Sequence, residues 1–247
     1  MNTSPEWISP DWPAPKGIFA FCSTRKGGMS QGNFSGLNVG MHVGDDPAHV
    51  QHNRVLLPYS EKFSWLEQVH GTECVVLENP LLTPVRADAS FTREADVVCA
   101  VMTADCLPLL VCDRQATQVA AIHAGWRGLH DGVIENSIAK FDAPARDILV
   151  WLGPAISQHN FEVGDDVVNA FSQYPHAITE KPNGRFQLDL YTIARAKLAT
   201  LGISQVYGGN HCTYAEEHTF FSHRRATHQG YQHTGRMVSA ICLTSPV

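Results

Sequence analysis

The chain has 247 residues, 44% of them hydrophobic and 17% charged, with a formal net charge of −6. That length and apolar content can fill one large core. The acidic balance excludes general affinity for nucleic acid, because no basic stripe would neutralise a phosphate backbone, and no apolar run reaches membrane-spanning length.

Residues 1–16 are polar, carry four prolines and lack the basic-then-apolar order of a signal peptide. They read as an N-terminal arm of a cytoplasmic protein. No linker, repeat or low-complexity stretch divides residues 17–247, which read as a single domain. In chain order, 17–21 is a strand. Residues 45–57 form a helix, opened by Asp45-Asp46-Pro47 and stopped by Pro58. Residues 73–77, 96–101, 108–112 and 118–122 are short strands rich in β-branched side chains. Residues 128–141 carry Leu129, Val133, Ile134, Ile138 and Phe141 at near-helical spacing. Then follow a strand at 148–152, a helix at 165–174 and the clearest helix at 188–201, with Gly202 as its stop. Strands at 204–207 and 237–243 close the chain. Several strands are apolar throughout, so both their faces are covered. Strands and helices do not alternate strictly, which favours a mixed α/β or α+β layered fold over a doubly wound sheet.

Seven cysteines, an odd number without a Cys-x-x-Cys pair, do not make a disulfide framework. Cys22, Cys74, Cys99, Cys112, Cys212 and Cys242 read as small hydrophobes of the core. Cys106 differs, because Ala104-Asp105-Cys106-Leu107-Pro108 ends in a proline turn at the start of a strand. His70, in Gln68-Val69-His70-Gly71, and His123, in His123-Ala124-Gly125-Trp126-Arg127-Gly128, also stand at strand ends beside glycine, where functional side chains sit on a rigid scaffold. Two imidazoles and one thiolate can hold zinc and leave a fourth position open. Their separation along the chain is too wide for a local metal motif, so the alternatives for each residue alone, a hydrogen-bonded histidine or a core cysteine, stay open at this point.

Among the thirteen histidines, His218, His223, His228 and His233 recur every five residues. That period fits neither a helix face nor a strand face, so with His211 they read as a solvated loop. His49 and His52 read as surface residues of the first helix. The chain has no His-x-His pair, so the ligands of a trinuclear copper centre are missing. Lys26-Gly27-Gly28 lacks the Gly-Lys-Ser/Thr ending of a phosphate loop, and no dinucleotide fingerprint follows any strand.

Ten segments together resemble the laccase-domain family, whose bacterial members are called polyphenol oxidoreductase, purine nucleoside phosphorylase or peptidoglycan editing factor. They are 24–30, 37–40, 44–46, 53–54, 68–71, 103–108, 123–128, 152–156, 161–164 and 234–236, and the likeness runs in order from about Gly17 to the C-terminus. The most specific are His-Ala-Gly-Trp-Arg-Gly and Ala-Asp-Cys-x-Pro. One departure is Ser222-His223-Arg224-Arg225 in place of the family's Ser-Tyr-Arg-Arg, followed by an insertion-like stretch to His233. The resemblance implies two packed mixed sheets flanked by helices, similar to the catalytic domain of cytotoxic necrotizing factor. It implies zinc on His70, Cys106 and His123, with copper as a competitor. The implied substrates are small molecules: purine nucleosides and phosphate for phosphorolysis of adenosine, inosine or methylthioadenosine, and adenosine for deamination. Cys106 and His123 are then also catalytic, Arg127 and Arg25 are candidates for oxyanions through their guanidinium forks, and Asn38 and Gln68 are amides for a purine edge or a water. Asp105, next to Cys106, faces the other way on an extended chain and either caps a turn or relays a proton.

Four readings compete. Beside the zinc nucleoside enzyme stands a cysteine hydrolase, with Cys106 attacking and His123 as base on an amide of a peptidoglycan precursor. Polyphenol oxidation on copper and a structural or storage metal site are the others. The sequence carries no feature that sets an oligomeric state.

Overall fold

In the strand β8 (Val98–Thr103) every side chain is buried, yet alternate residues enter different cores. Cys99 and Val101 face inward between two sheets, whereas Val98, Ala100 and Met102 face an outer cluster. The period-2 alternation of a strand makes this division, and an uninterrupted apolar run is its sequence trace. The structure, a computed structural model, describes residues 4–245.

The first sheet has the order β1 (Trp7–Ile8), β2 (Ile18–Ser23), β16 (Met237–Leu243), β8 and β3 (Phe63–Ser64). Its pairs are antiparallel except β3 with β8, which are parallel. The second sheet has the order β15 (Gln205–Gly208), β11 (Ile148–Leu152), β9 (Leu107–Asp113), β10 (Val119–Ala124), β7 (Ala89–Thr92) and β5 (Cys74–Leu77). Its two outer pairs are parallel and the rest antiparallel. Leu110, Cys112, Ala121, Leu149 and Trp151 of this sheet meet Cys22, Cys99, Val101 and Ile241 of the first. A parallel pair, β4 (Leu66–Glu67) with β6 (Val85–Arg86), and an antiparallel trio, β12 (Glu162–Val163), β14 (Phe186–Leu188) and β13 (Ile178–Glu180), complete the strands.

Helices cover the other face of the second sheet. Leu129 of α2 (Trp126–Asp131), Val133 and Ile134 of α3 (Val133–Ile138), Val167 of α4 (Asp165–Ala170), and Ile193, Ala194 and Leu198 of α5 (Leu190–Thr200) pack on Leu109, Val111, Ile122 and Val150. Each fully buried Leu or Ile contributes roughly 1.5–3 kcal/mol over exposure. A short α1 (Pro47–Val55) starts where the Asp46 carboxylate accepts the Ala48 N–H at 2.8 Å. The predicted mixed α+β class with two packed mixed sheets is what the chain adopts.

Two expectations are corrected. Residues 128–141 do not make one helix: Gly132, at φ +105°, ends α2 and begins α3, a conformation open to glycine at no steric cost. The histidine-rich stretch is not a solvated loop throughout. It contains α6 (His223–His228), capped by the Ser222 side chain. Buried Arg225 donates to the carbonyls of Thr213, Tyr214 and Phe220. Residues Trp7–Ile8 of the arm pair with Cys22 and Ser23. No helix among the described residues is long and apolar enough to cross a membrane.

Candidate metal centre

His70, Cys106 and His123 converge. One ligand atom from each lies within 4.8 Å of the other two. Cys106 Sγ stands 3.7 Å from His70 Nε2, and the two imidazoles meet edge to face with centroids 4.9 Å apart. Tetrahedral zinc holds nitrogen at about 2.0–2.1 Å and sulfur at about 2.3 Å, which spaces its donors roughly 3.5 Å apart. The donor set and its spacing therefore fit a single divalent ion with little movement.

Three local features place these side chains. His123 is the penultimate residue of β10, 3% exposed and pointed at the end of the sheet. Cys106 immediately precedes β9, whose Leu107 pairs with Ala124. The residue before it, Asp105, sits at φ +91°, a conformation that is costly for a side chain with a Cβ. It is held there by engagement on all sides. Its carboxylate accepts the Thr213 hydroxyl and the Arg224 N–H, each at 2.6 Å, and its carbonyl accepts the Ile156 N–H. Asp105 thus anchors chain segments rather than facing the reacting groups.

The third feature is Asp88, which sequence reasoning did not single out. Fully buried, its carboxylate accepts the successive N–H groups of Val69, His70 and Gly71 at 3.1, 2.9 and 2.7 Å. That cradle holds His70 at φ +59°. Asp88 Oδ1 also accepts from His123 Nδ1 at 2.8 Å. A carboxylate only accepts, so Nδ1 carries the proton and Nε2 is left as the free donor atom. One buried anion therefore positions two of the three candidate ligands. Its only sequence signal was a charged residue before the short run Ala89–Thr92.

Two glycines make the approach possible. A Cβ on Gly125 would lie 2.7 Å from His70 Cδ2 and 3.2 Å from Cys106 Sγ, and one on Gly128 would lie 2.6 Å from the Gly71 carbonyl. Both glycines of His-Ala-Gly-Trp-Arg-Gly are thus required by space.

The electrostatics favour ionised Cys106, His123 and Asp88. Loss of water works against the Cys106 thiolate, but the charge and hydrogen bond of His123, with His70 beside it, bring the thiol down to about 6. Loss of water likewise opposes an imidazolium at His123, yet the Cys106 thiolate and Asp88 raise it to about 9. Asp88 also loses water, which is outweighed by His123 and the amides of Gly71 and Val69, so its carboxyl stays below the usual range.

Two adjoining chambers meet at this trio. The larger, about 310 Å3, has walls of Trp126, Ile156, Phe161 and Leu190, with Arg127 and Arg224. The smaller, about 200 Å3, is bounded by His42, Gln68, Thr103 and Arg236. His70, Ala104, Cys106 and His223 belong to both. Arg127 lines the larger chamber, stacked over Trp126 at 4.4 Å. Gln68 lines the smaller chamber, but both ends of its amide are engaged by the Met102 backbone. Asn38 lies outside both chambers, fully buried, accepting from Gly40 and Arg236 N–H and donating to Asp45. Arg25 is placed elsewhere. It lines a separate surface cavity with Lys26 and Gly27, donates to the Glu217 and Ser35 carbonyls and stacks on Phe221. Cys212 is also not a core residue: half-buried, its sulfur accepts from Ser157, Asn160 and Ala215. His42, His223, Arg224 and Arg236 escaped singling out as site residues because each becomes a neighbour of the trio only through the tertiary fold.

A family model described as multi-copper polyphenol oxidoreductase laccase matches residues 19–244. A protein of Escherichia coli K12 named purine nucleoside phosphorylase YfiH is 46% identical over 243 residues, covering 96% of this chain and 98% of its own. A purine nucleoside phosphorylase of Pseudomonas aeruginosa is 45% identical over 246 residues, with the same coverage of 96% and 98%. Among solved structures, Neisseria meningitidis protein NMB0706 superposes with a TM-score of 0.91 at 45% identity, covering 97% of this chain and 99% of its own. YlmD of Geobacillus stearothermophilus gives 0.86 at 32% identity, covering 99% and 98%.

Proposed function

The chain belongs to the multi-copper polyphenol oxidoreductase laccase family, and from that premise we propose that it is a purine nucleoside phosphorylase with a zinc ion held by His70, Cys106 and His123. The observation that carries the reading is the trio at the junction of two chambers, with His70 and Cys106 lining both and His123 the smaller. Displacement at a glycosidic carbon needs the leaving base and the incoming oxyanion on opposite sides of that carbon. In phosphorolysis the C1′–N9 bond breaks and its electron pair goes to the purine. An oxygen of hydrogen phosphate forms the new C1′–O bond, and the phosphate proton ends on the purine nitrogen. Adenosine, inosine and methylthioadenosine share that reacting centre.

Zinc bound there would supply Lewis acidity toward a ring nitrogen, a carbonyl or a water. The chain's own groups do the rest. Asp88 keeps the His123 Nδ1 proton in place and the His70 loop in its left-handed turn. Trp126 and Phe161 offer faces on which a base stacks, and Ile156 and Leu190 exclude water around it. Deamination of adenosine, in which water oxygen replaces the C6 amino group and ammonia leaves, is the second activity we assign to the same pocket. Copper competes for these donors by the ordinary order of divalent affinities.

Metal analysis and a nucleoside-plus-phosphate product assay on one sample test the reading. Chelation is expected to abolish base release and added zinc to restore it. Cys106→Ala should lose the metal, whereas Cys99→Ala, in the core between the sheets, should keep it. Equal metal content in the two variants would remove the ligand assignment.

One observation favours a second reading. Cys106, His123 and Asp88 also have the relation of nucleophile, base and orienting carboxylate, with the thiol held at about 6. A cysteine amidase acting on a peptidoglycan precursor would use that relation without metal. Turnover that survives complete chelation but stops on alkylation of Cys106 would select it.

A further inference from the structure

The two chambers differ in chemistry, and the difference assigns the two reactants. The larger has aromatic and aliphatic walls. Its guanidinium groups lie against ring faces: Arg127, exposed, lies over Trp126, and Arg224 lies 5.4 Å from the Phe161 ring centroid and donates to the Glu162 carbonyl. The smaller is built around Arg236, with His42 and His223 at its edge and Thr103 in its wall.

Arg236 is the key residue. It is half-buried and pairs with no carboxylate among the described residues. Its Nη1 donates to the carbonyls of Thr234 and Gly235, and no other atom of its guanidinium has a hydrogen-bond partner among the described residues. The nearby carboxylate of Asp105 is committed to Thr213 and Arg224. The buried Thr103 hydroxyl has no hydrogen-bond partner among the described residues. A partly desolvated guanidinium that pairs with no carboxylate, and has only the charges of Cys106 and Asp105 nearby, gains from an anion that completes its hydrogen bonds, and its planar fork matches the oxygens of a phosphate.

The surrounding chain holds Arg236 in that position. Asn38 Oδ1 accepts the Arg236 N–H at 2.9 Å and the Gly40 N–H at 2.9 Å. A Cβ on Gly40 would lie 2.9 Å from Arg236 Cγ, so glycine leaves room for the side chain against the backbone. Arg54, fixed by the Val39 carbonyl and the Trp65 ring, is a second positive charge that acts with Arg236 on His42.

We propose that the chamber formed by Arg236, His42, Thr103 and His223 is the subsite for inorganic phosphate, and that the purine occupies the chamber of Trp126 and Phe161. Asn38 is then a positioning residue for Arg236 rather than a group that touches substrate. The assignment rests on the phosphorolysis reading for its purpose, but binding of phosphate can be measured without turnover.

The experiment is a titration of inorganic phosphate into the zinc-loaded protein followed by phosphorus NMR and calorimetry, on the wild type, Arg236→Gln, Arg236→Lys and Arg127→Gln. Arg236→Gln is expected to weaken phosphate binding about tenfold or more, while Arg236→Lys recovers part of it and Arg127→Gln binds as the wild type does. In steady state, Arg236→Gln should raise KM for phosphate by a similar factor and leave KM for the nucleoside within about twofold. Retained zinc stoichiometry in each variant shows that the site is folded. Phosphate affinity lost in Arg127→Gln instead would place the oxyanion in the aromatic chamber and overturn the assignment. So would an unchanged affinity in Arg236→Gln. Should the wild type bind phosphate through Arg236 yet cleave no nucleoside, the subsite stands and the phosphorolysis reading falls. Phosphorolysis with a phosphate KM indifferent to residue 236 does the opposite.

Discussion

Asp88 shows how one side chain sets the chemistry of two others. Its carboxylate accepts Nδ1–H of His123 and the amide of His70, so it stabilises an imidazolium and, through it, the thiolate of Cys106. The signs of the two shifts define a pH window. A thiol brought down from 9.0 to about 6 stabilises the fold fully above its unfolded value and loses that contribution as pH falls through about 6. An imidazole raised from 6.5 to about 9 stabilises it fully below 6.5 and loses that contribution as pH rises through about 9. In metal-free protein the thiolate–imidazolium pair therefore persists from about pH 6 to about pH 9. Alkylation of Cys106 by iodoacetamide, followed by peptide mass spectrometry, should titrate with a midpoint of about 6, while Cys22 and Cys112, pushed up to about 12 by burial, stay unmodified. In Asp88→Asn the Cys106 midpoint should move up toward the ordinary thiol value. A midpoint that stays put in that variant would show that Asp88 holds geometry only and contributes nothing to the charge.

At the scale of elements, the decisive junction runs from β10 through Gly125 into α2. The strand delivers His123, the turn passes beneath His70 and Cys106, and Leu129 and Val133 then fix the helices on the sheet. Gly125→Ala would put a methyl 2.7 Å from the His70 ring. Metal affinity, read by competition with a chromophoric chelator, should fall about tenfold or more, because a site tolerates displacements of only about 0.5 Å. The far-ultraviolet circular dichroism should be retained, since Gly125 φ of −62° is open to alanine. Undiminished affinity would mean that the trio shifts freely and is not preorganised. Much of this level is legible in the chain. The apolar runs at 148–152 and 237–243 coincide with β11 and β16, because burial on both faces selects apolar residues, with Ser239 the exception in β16. The strand Ala89–Thr92 left no such trace: its Ala-Ser-Phe-Thr is buried throughout but half polar, and the Thr92 hydroxyl is satisfied by the Leu77 carbonyl across the sheet. The single helix expected at 128–141 failed because spacing of apolar residues carries across Gly132, while the backbone does not.

At the scale of the whole molecule, the site depends on a closure that no local pattern announces. His70, Cys106 and His123 are legible as motif residues, but the smaller chamber needs Arg236 from near the C-terminus and His42 from near the N-terminus. The segment from His211 to Arg236 reaches the site because its polar residues find buried partners. Arg225 gathers three carbonyls, and Asp105 receives Thr213 and Arg224. A histidine repeat of five, read alone, gives no hint of those partners, which lie about a hundred residues away in the chain. The closure makes its own prediction. Asp105→Ala leaves the fully buried Thr213 hydroxyl and the Arg224 N–H without an acceptor, at about 1–3 kcal/mol for each such group. The loss falls on one segment, so local opening should respond before global unfolding does. Trypsin should then cut after Arg224 and Arg225 faster than in the wild type under native conditions, with cleavage elsewhere little changed. Equal rates at those bonds would mean that the three bonds of Arg225 hold the segment without help, and that Asp105 serves only to turn the chain into Cys106.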